Sequence, residues 1–351
     1  MNITQSYILY ADDLVLLSES KSGLQNCLTK LERYTKKWKL NINLKKSKVL
    51  LFGTPTQRRA HLSSIWFFEN ITLEQVDEYC YLGITLHFSG NFKRTQKILY
   101  GKALRAYHYL FKSFSNVENV PINVLLKLFS STVVPVLLYS CEVWGPYLLG
   151  KINSFATFKT KIFKLTNDIE RLHLKFCKRI LGVHSKSTNL AVYGELGRAP
   201  LITQIATFIT KYWLRIKSST FSDTLAGEAA RVCMDSNLQP VVITKYLLQL
   251  CDIEVNNFKD FVIPPNEQGH FCHYLKNKLQ TFYTEYWKEQ IQQGGNNGKL
   301  RVYKKLKVNF GFEKYLSLIH NFKHRQAITK LRISAHKLPV ETGRLRKCSI
   351  Q

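Results

Sequence analysis

Asp12 and Asp13 are the residues whose type and placement point most directly to chemistry. They stand between two short apolar runs, Tyr7–Leu9 and Leu14–Leu17, the pattern of a hairpin of two buried strands with the acids at its turn. Adjacent carboxylates repel each other, and a positive charge beside them relieves the repulsion. A divalent cation supplies that charge: Mg2+ takes carboxylate oxygens, and two metals about 3.5–4 Å apart activate an attacking oxygen and stabilise a leaving one. Phosphoryl transfer needs that arrangement. An Asp-Asp pair is also an ordinary hairpin turn, so Tyr10-Ala11-Asp12-Asp13 alone leaves both readings open.

The elements that must position this pair are short. Ser20 can cap a helix whose apolar stripe is Leu24, Leu28, Leu31 and Trp38. Val49–Phe52, Ile65–Phe68 and Tyr79–Leu86 read as further strands, with Gly53-Thr54-Pro55 a turn, which predicts a small mixed region over residues 1–88. From Asn91 onward the pattern predicts helices over 92–115, 122–145, 160–182, 200–218, 241–251, 271–293 and 313–336. A helical region over 89–293 is thus followed, across the flexible Gly294–Gly298 link, by a basic helical segment at 299–351. The expected fold class is α+β and helix-dominated. The most apolar long stretch, Ile122–Leu138, contains Lys127 and Pro135 and falls short of a bilayer span, so a buried helix with a kink or break at Pro135 is expected, and no membrane partner.

Composition narrows the classes of function. At 351 residues the chain has room for two or three domains, and its 45% hydrophobic and 13% aromatic content excludes a disordered chain. The formal net charge of +27 calls for a polyanionic partner, nucleic acid first and an anionic membrane surface second. Residues 35–48 hold six lysines and no acid, 79–117 six basic residues and no acid, and 299–347 fourteen basic residues against Glu313 and Glu341. Any one such block is commonly a solvated face; three of them interleaved with Tyr, Phe and Trp make a nucleic-acid track. No two of the eight cysteines are closer than 18 residues, which excludes a CxxC metal or redox pair and fits reduced thiols in an intracellular protein, nuclear or cytoplasmic. The opening MNITQSYILYADD lacks the features of a secretory signal.

These segments together resemble the reverse transcriptases of non-LTR (LINE-type) retrotransposons. YADDLVLLSES (Tyr10–Ser20) is similar to that family's polymerase motif C, and LNINLKKSKVLLFG (Leu40–Gly53) to its motif D, with Asn43 and Lys46 at the polar and basic positions. YCYLGITLHFSGNF (Tyr79–Phe92) resembles the segment that grips the primer end, centred on Tyr81-Leu82-Gly83. PVLLYSCEVWG (Pro135–Gly145), IERLHLKFCKRILGV (Ile169–Val183) and VYGELGRAPL (Val192–Leu201) resemble the thumb and post-thumb region, and LRISAHKLPVETGR (Leu331–Arg344) the C-terminal segment.

The resemblance implies Asp12 as a Mg2+ ligand with Asp13 beside it, and Tyr10 and Ala11 near the primer end or incoming nucleotide. It implies Lys46 near the nucleotide phosphates and Tyr81, Leu82 and Gly83 at the primer. Lys46 is equally one solvated lysine among six, and Tyr81–Gly83 equally a strand packing a core. RNA and an RNA–DNA hybrid are the implied partners, with dNTP the only small-molecule substrate. The family places a further catalytic aspartate upstream of YADD, whereas none of the first eleven residues here is acidic. The expectation is therefore a reverse-transcriptase fragment that is inactive alone unless an upstream piece complements it. The alternatives are a non-catalytic RNA- or hybrid-binding remnant, and a reading frame whose product folds partly or not at all. A zinc knuckle after the Gly343-Arg344 pair is not expected, since Cys348 stands alone there, and His270, Cys272 and His273 read as helix-surface and core residues.

Overall fold

The computed structural model describes residues 7–59, 64–114, 120–164, 166–217, 224–253, 258, 261–293 and 300–335, and the chain divides into two units, 1–95 and 96–351. It is an α+β fold, 58% helical.

In the first unit, strands β1 (Tyr7–Tyr10) and β2 (Asp13–Leu16) pair antiparallel and lead into helix α1 (Lys21–Trp38). The Ser20 hydroxyl accepts from Gly23 N–H and caps α1 as its position predicts. There follow β3 (Lys48–Leu50), α2 (Pro55–Arg59), β4 (Phe67–Phe68), β5 (Ile71–Thr72), β6 (Glu74–Val76), β7 (Glu78–Tyr81) and β8 (Ile84–His87). Strand β3 pairs in parallel with β6, while β4–β5 and β7–β8 are hairpins. The single strand expected over Tyr79–Leu86 is thus two, because Leu82 (φ +47°) and Gly83 (φ +79°) both take the left-handed backbone that a type I′ turn requires. Glu69 and Asn70 turn the β4–β5 hairpin in the same way.

Helix α1 lays Leu24, Leu28 and Leu31 on a core of Val49, Trp66 and Phe68. Its Gln25 side chain donates to the Phe67 carbonyl at 2.9 Å and accepts from the Phe67 N–H at 3.0 Å, fixing the helix to β4. Trp38, expected on the same stripe, is 59% exposed. Thr35 is the last buried residue of α1, and Lys39 ends the helix in a left-handed cap (φ +54°), so the final turn outruns the core beneath it.

Helix α3 (Lys93–Lys112) leads into the second unit, followed by α4 (Ile122–Thr132), α5 (Val134–Leu137), α6 (Cys141–Trp144), α7 (Phe155–Lys161) and α8 (Asp168–Ile180). Next come α9 (Asn189–Leu196), α10 (Ile202–Ile216), α11 (Leu225–Asp235), α12 (Gln239–Leu250) and α13 (Gln268–Gln293). Short α14 (Tyr303–Leu306), α15 (Tyr315–Leu318) and α16 (Phe322–Arg332) close the described chain, and the segment beyond the Gly294–Gly298 link packs within this same unit. The expected break near Pro135 occurs at Val133, with the proline in the first turn of α5, where its missing N–H leaves no bond unmade. Among the described residues no single helix is long and apolar enough to cross a membrane; Ile122–Leu137 and Cys141–Tyr147 pass together but are bent by 62°. The helix expected over 160–182 is two, since Asn167 accepts from Glu170 N–H and starts α8 afresh. Helix α11, opened by Thr224 as cap, was not expected.

Two buried carboxylates order this unit. Glu170 accepts from Leu201 N–H at 2.9 Å and from the Tyr193 hydroxyl, and its other neighbour is His173 Nδ1 at 2.8 Å. Arg198 Nε–H points at His173 Nε2 from 2.8 Å. Burial is the strongest influence on His173 and opposes a charge there, while Cys177 and Glu170 favour one. The Arg198 N–H decides for the neutral ring, because a protonated Nε2 could not accept it. Glu195, with no exposure at all, takes both Nε contacts from Arg332 (3.0 and 3.1 Å) and the Tyr315 hydroxyl at 2.6 Å. Gly197 (φ +57°) then lets the chain turn so closely that a Cβ there would meet Phe312 N at 2.3 Å. Gly150 shares the left-handed backbone (φ +67°) with nothing near it. Gly150→Ala is therefore expected to lose about 1 kcal/mol for the left-handed backbone alone. Gly197→Ala should lose about 2–4 kcal/mol because the clash adds to the strain. Denaturant unfolding midpoints of the two variants check this difference.

Candidate functional site

A two-residue turn presents the aspartates. Tyr10 pairs with Asp13 across the β1–β2 hairpin, leaving Ala11 and Asp12 as the turn. Ala11 has φ +53° and Asp12 a negative φ, the pattern of a type II′ turn, where glycine is the usual first residue. Both carboxylates are exposed. The strands were expected to be buried, yet Tyr7, Leu9 and Tyr10 are 52%, 62% and 62% exposed. Among the described residues β1 and β2 pair only with each other, so two strand edges and one apolar face stand open, while Leu16 alone reaches the core around Trp66.

Lys46 sits on the turn between α1 and β3. Its N–H donates to the Asn43 carbonyl (3.0 Å) and side-chain oxygen (3.2 Å), so Asn43 shapes the turn that carries it. The Tyr79 hydroxyl donates to the Lys46 carbonyl at 3.2 Å, which joins this turn to β7. Tyr81, Leu82 and Gly83 form the far tip of the same β7–β8 hairpin. The Tyr81 hydroxyl is shielded from solvent without a hydrogen-bond partner. The structure thus brings Asn43, Lys46 and the Tyr81-Leu82-Gly83 hairpin into one assembly; no hydrogen bond or ion pair among those found for these residues joins it to Asp12 or Asp13. Arg58 holds the foot of that assembly: it pairs with Asp77 and stacks on Phe88, 3.8 Å from the ring centre. No motif in the sequence signals Arg58; the contact depends on where α2 falls. His270 and His273 are exposed and Cys272 half-buried along α13, as read from the sequence.

A divalent cation asks for more than two oxygens from one turn. Among the described residues no third His, Cys, Asp or Glu joins Asp12 and Asp13 in a cluster that could hold a metal. The residues present therefore do not form a two-metal cage, and no chemical step is derived through one.

Residues 2–86, spanning the elements from β1 to β8, match the family described as reverse transcriptase (RNA-dependent DNA polymerase). The chain is similar to this family over that segment. It is 25% identical over 169 residues to a Drosophila melanogaster protein named "Probable RNA-directed DNA polymerase from transposon BS". That alignment covers 45% of this chain and 18% of the relative. An uncharacterized transposon-derived protein of Caenorhabditis elegans is 29% identical over 138 residues, 38% of this chain and 47% of the relative. The chain thus spans less than half the length of either. No solved structure matches it. The reverse-transcriptase family generally uses a divalent metal and binds nucleic acid.

Within residues 2–86, the left-handed backbone at Ala11 sets what the turn tolerates. Ala11→Gly should keep the hairpin's amide-exchange protection across β1 and β2, since glycine takes this φ without strain. Ala11→Val should abolish it, because a β-branched residue is an outlier at positive φ. Equal protection in the two variants would show that the turn conformation is otherwise.

Proposed function

We propose that this chain is the nucleic-acid-gripping portion of a retrotransposon reverse transcriptase, of the non-LTR type. Its Asp12–Asp13 hairpin is one wall of the nucleotidyl-transfer centre and performs no transfer until a further carboxylate-bearing strand is added. The observation that carries this reading is the hairpin itself: the acid pair of the matched family segment sits on strands whose outer edges pair with nothing described and whose Tyr7, Leu9 and Tyr10 face solvent. An open edge with apolar side chains is a template for another strand. Among the described residues, a Mg2+ ion there would find only the two carboxylates of one turn.

The grip is supported by α3. Along the part in the second unit, Lys97, Lys102, Arg105, His108, Tyr109 and Lys112 are exposed with no acid among them. Tyr109, 74% exposed, adds an aromatic face to the cations. RNA and an RNA–DNA hybrid are the proposed partners, the second unit serving as a thumb and connection. The buried Tyr81 hydroxyl, which lacks an acceptor, supports a primer-end role for Tyr81-Leu82-Gly83.

Purified as 351 residues, the protein should bind an RNA–DNA hybrid and extend no primer. Asp12→Ala and Asp13→Ala should leave that binding unchanged. Affinity should fall steeply with salt, and Lys97→Ala with Arg105→Ala should together lower the slope of log affinity against log salt by about 2. Primer extension by the unaided chain that Asp12→Ala abolishes would overturn the incomplete-centre reading, and salt-independent binding the grip.

A further inference from the structure

The last turns of α1 carry a face that neither the catalytic hairpin nor the α3 grip uses. Lys30, Tyr34, Lys37 and Trp38 follow one another at helical spacing along one side of the helix, with Arg33 beside them, and all five are exposed. The rings are far from idle surface: Tyr34 is 55% and Trp38 59% exposed, with centroids 6.3 Å apart. The other four tryptophans, Trp66, Trp144, Trp213 and Trp287, are all below 5% exposed. A lone exposed apolar residue is ordinary, but a Tyr–Trp pair ringed by cations is a built surface. Lys37 Nζ lies 5.5 Å from the Trp38 ring centre. Lys39, Lys45 and Lys46 continue the charge along the chain that leaves the helix.

The acids lie on the other side. Glu32 is opposite this stripe on the helix and pairs with Lys36 at 2.6 Å, which pulls the Glu32 carboxyl below and lifts the Lys36 ammonium above their ordinary ranges. Glu69 acts on that same pair. The negative end of the helix dipole falls at Trp38, and Lys36, Lys37 and Lys39 offset it. What remains is two open π-faces flanked by at least four cations with no carboxylate between them.

We infer that this Tyr34–Trp38 face of α1 binds single-stranded nucleic acid, its two rings stacking unpaired bases and Lys30, Arg33 and Lys37 holding the phosphates on either side. The single strand follows from the rings: in a duplex the base faces are already covered by one another, so an exposed Tyr and Trp find a partner only where bases are unstacked. Sequence readout is not expected, because every base offers a π-face. The inference needs neither a completed metal centre nor the α3 grip, so it stands or fails apart from them.

The test uses the full 351-residue chain and labelled oligouridylate and oligothymidylate of about twelve nucleotides, followed by anisotropy, together with intrinsic tryptophan emission. Trp38 is the solvent-exposed reporter, so either oligonucleotide should quench the emission. Trp38→Ala should weaken binding of the oligonucleotides about 5- to 100-fold, Tyr34→Ala similarly, and Trp38→Phe within about 2-fold, since phenylalanine still stacks. Affinity for an RNA–DNA hybrid should change by less than about 2-fold in all three. With both side chains more than half exposed, the variants retain the core, and unchanged far-ultraviolet circular dichroism verifies it. Equal response to the two oligonucleotides supports a general single-strand face; preference for oligouridylate supports one that also senses the 2′-hydroxyl. Unquenched emission, or oligonucleotide affinity unchanged in the Tyr34→Ala/Trp38→Ala double variant, overturns the inference. Iodide quenching of Trp38 that an added polymerase polypeptide blocks, while oligonucleotides do not, overturns it in favour of a protein partner.

Discussion

Glu195 is the charge around which the helical unit is arranged. A carboxylate with no solvent contact is tolerable only when cations and donors reach it, and the partners of Glu195 come from far along the chain: Arg332 and the Tyr315 hydroxyl. Burial, with Glu195 beside them, pushes the Tyr303 and Tyr315 phenols well up, so both stay protonated and able to donate. Glu313 joins from the same segment through Arg332 and Lys307. Glu170 repeats the device one helix earlier, gathering His173, Tyr193 and the Leu201 N–H. Removing one partner would strand a buried charge, and that constraint fixes α8, α9 and the C-terminal helices as one body.

Glycines make those approaches possible. A Cβ at Gly194 would collide with the Tyr303 hydroxyl and Trp287, and one at Gly182 with Gln326 and Phe322. The segments IERLHLKFCKRILGV and VYGELGRAPL therefore have a mechanical meaning: each carries a buried carboxylate on its helix and a glycine at which a distant part of the chain approaches closely. In the first unit the corresponding device is the two-residue turn. Three such turns, Ala11-Asp12, Glu69-Asn70 and Leu82-Gly83, shape residues 7–87.

The helical unit meets its buried Glu170 and Glu195 with partners from its own residues. The first unit leaves Tyr7, Leu9, Tyr10, Tyr34 and Trp38 in solvent and strands β1 and β2 without neighbours among the described residues. Exposed rings are not confined to that unit: Tyr109 of the helical unit is 74% exposed.

Local chemistry made much of this legible in the residues alone. The Asp12–Asp13 hairpin, the Ser20 cap and the Leu24–Leu28–Leu31 stripe each depend on neighbours within a few positions and are found where the spacing puts them, while the break expected at Pro135 falls at Val133. The sequence by itself also determined the helix-dominated fold class and the reverse-transcriptase resemblance. Only the tertiary structure decided that Tyr79–Leu86 folds back on itself, that Trp38 outruns its core, that Asn43 shapes the Lys46 turn, and that Glu170 and Glu195 are buried hubs. The reason is physical: periodicity records which side of an element is apolar, but whether a side chain meets protein or water depends on how far the opposing surface extends, and that surface is built from residues as distant in sequence as Glu195 and Arg332.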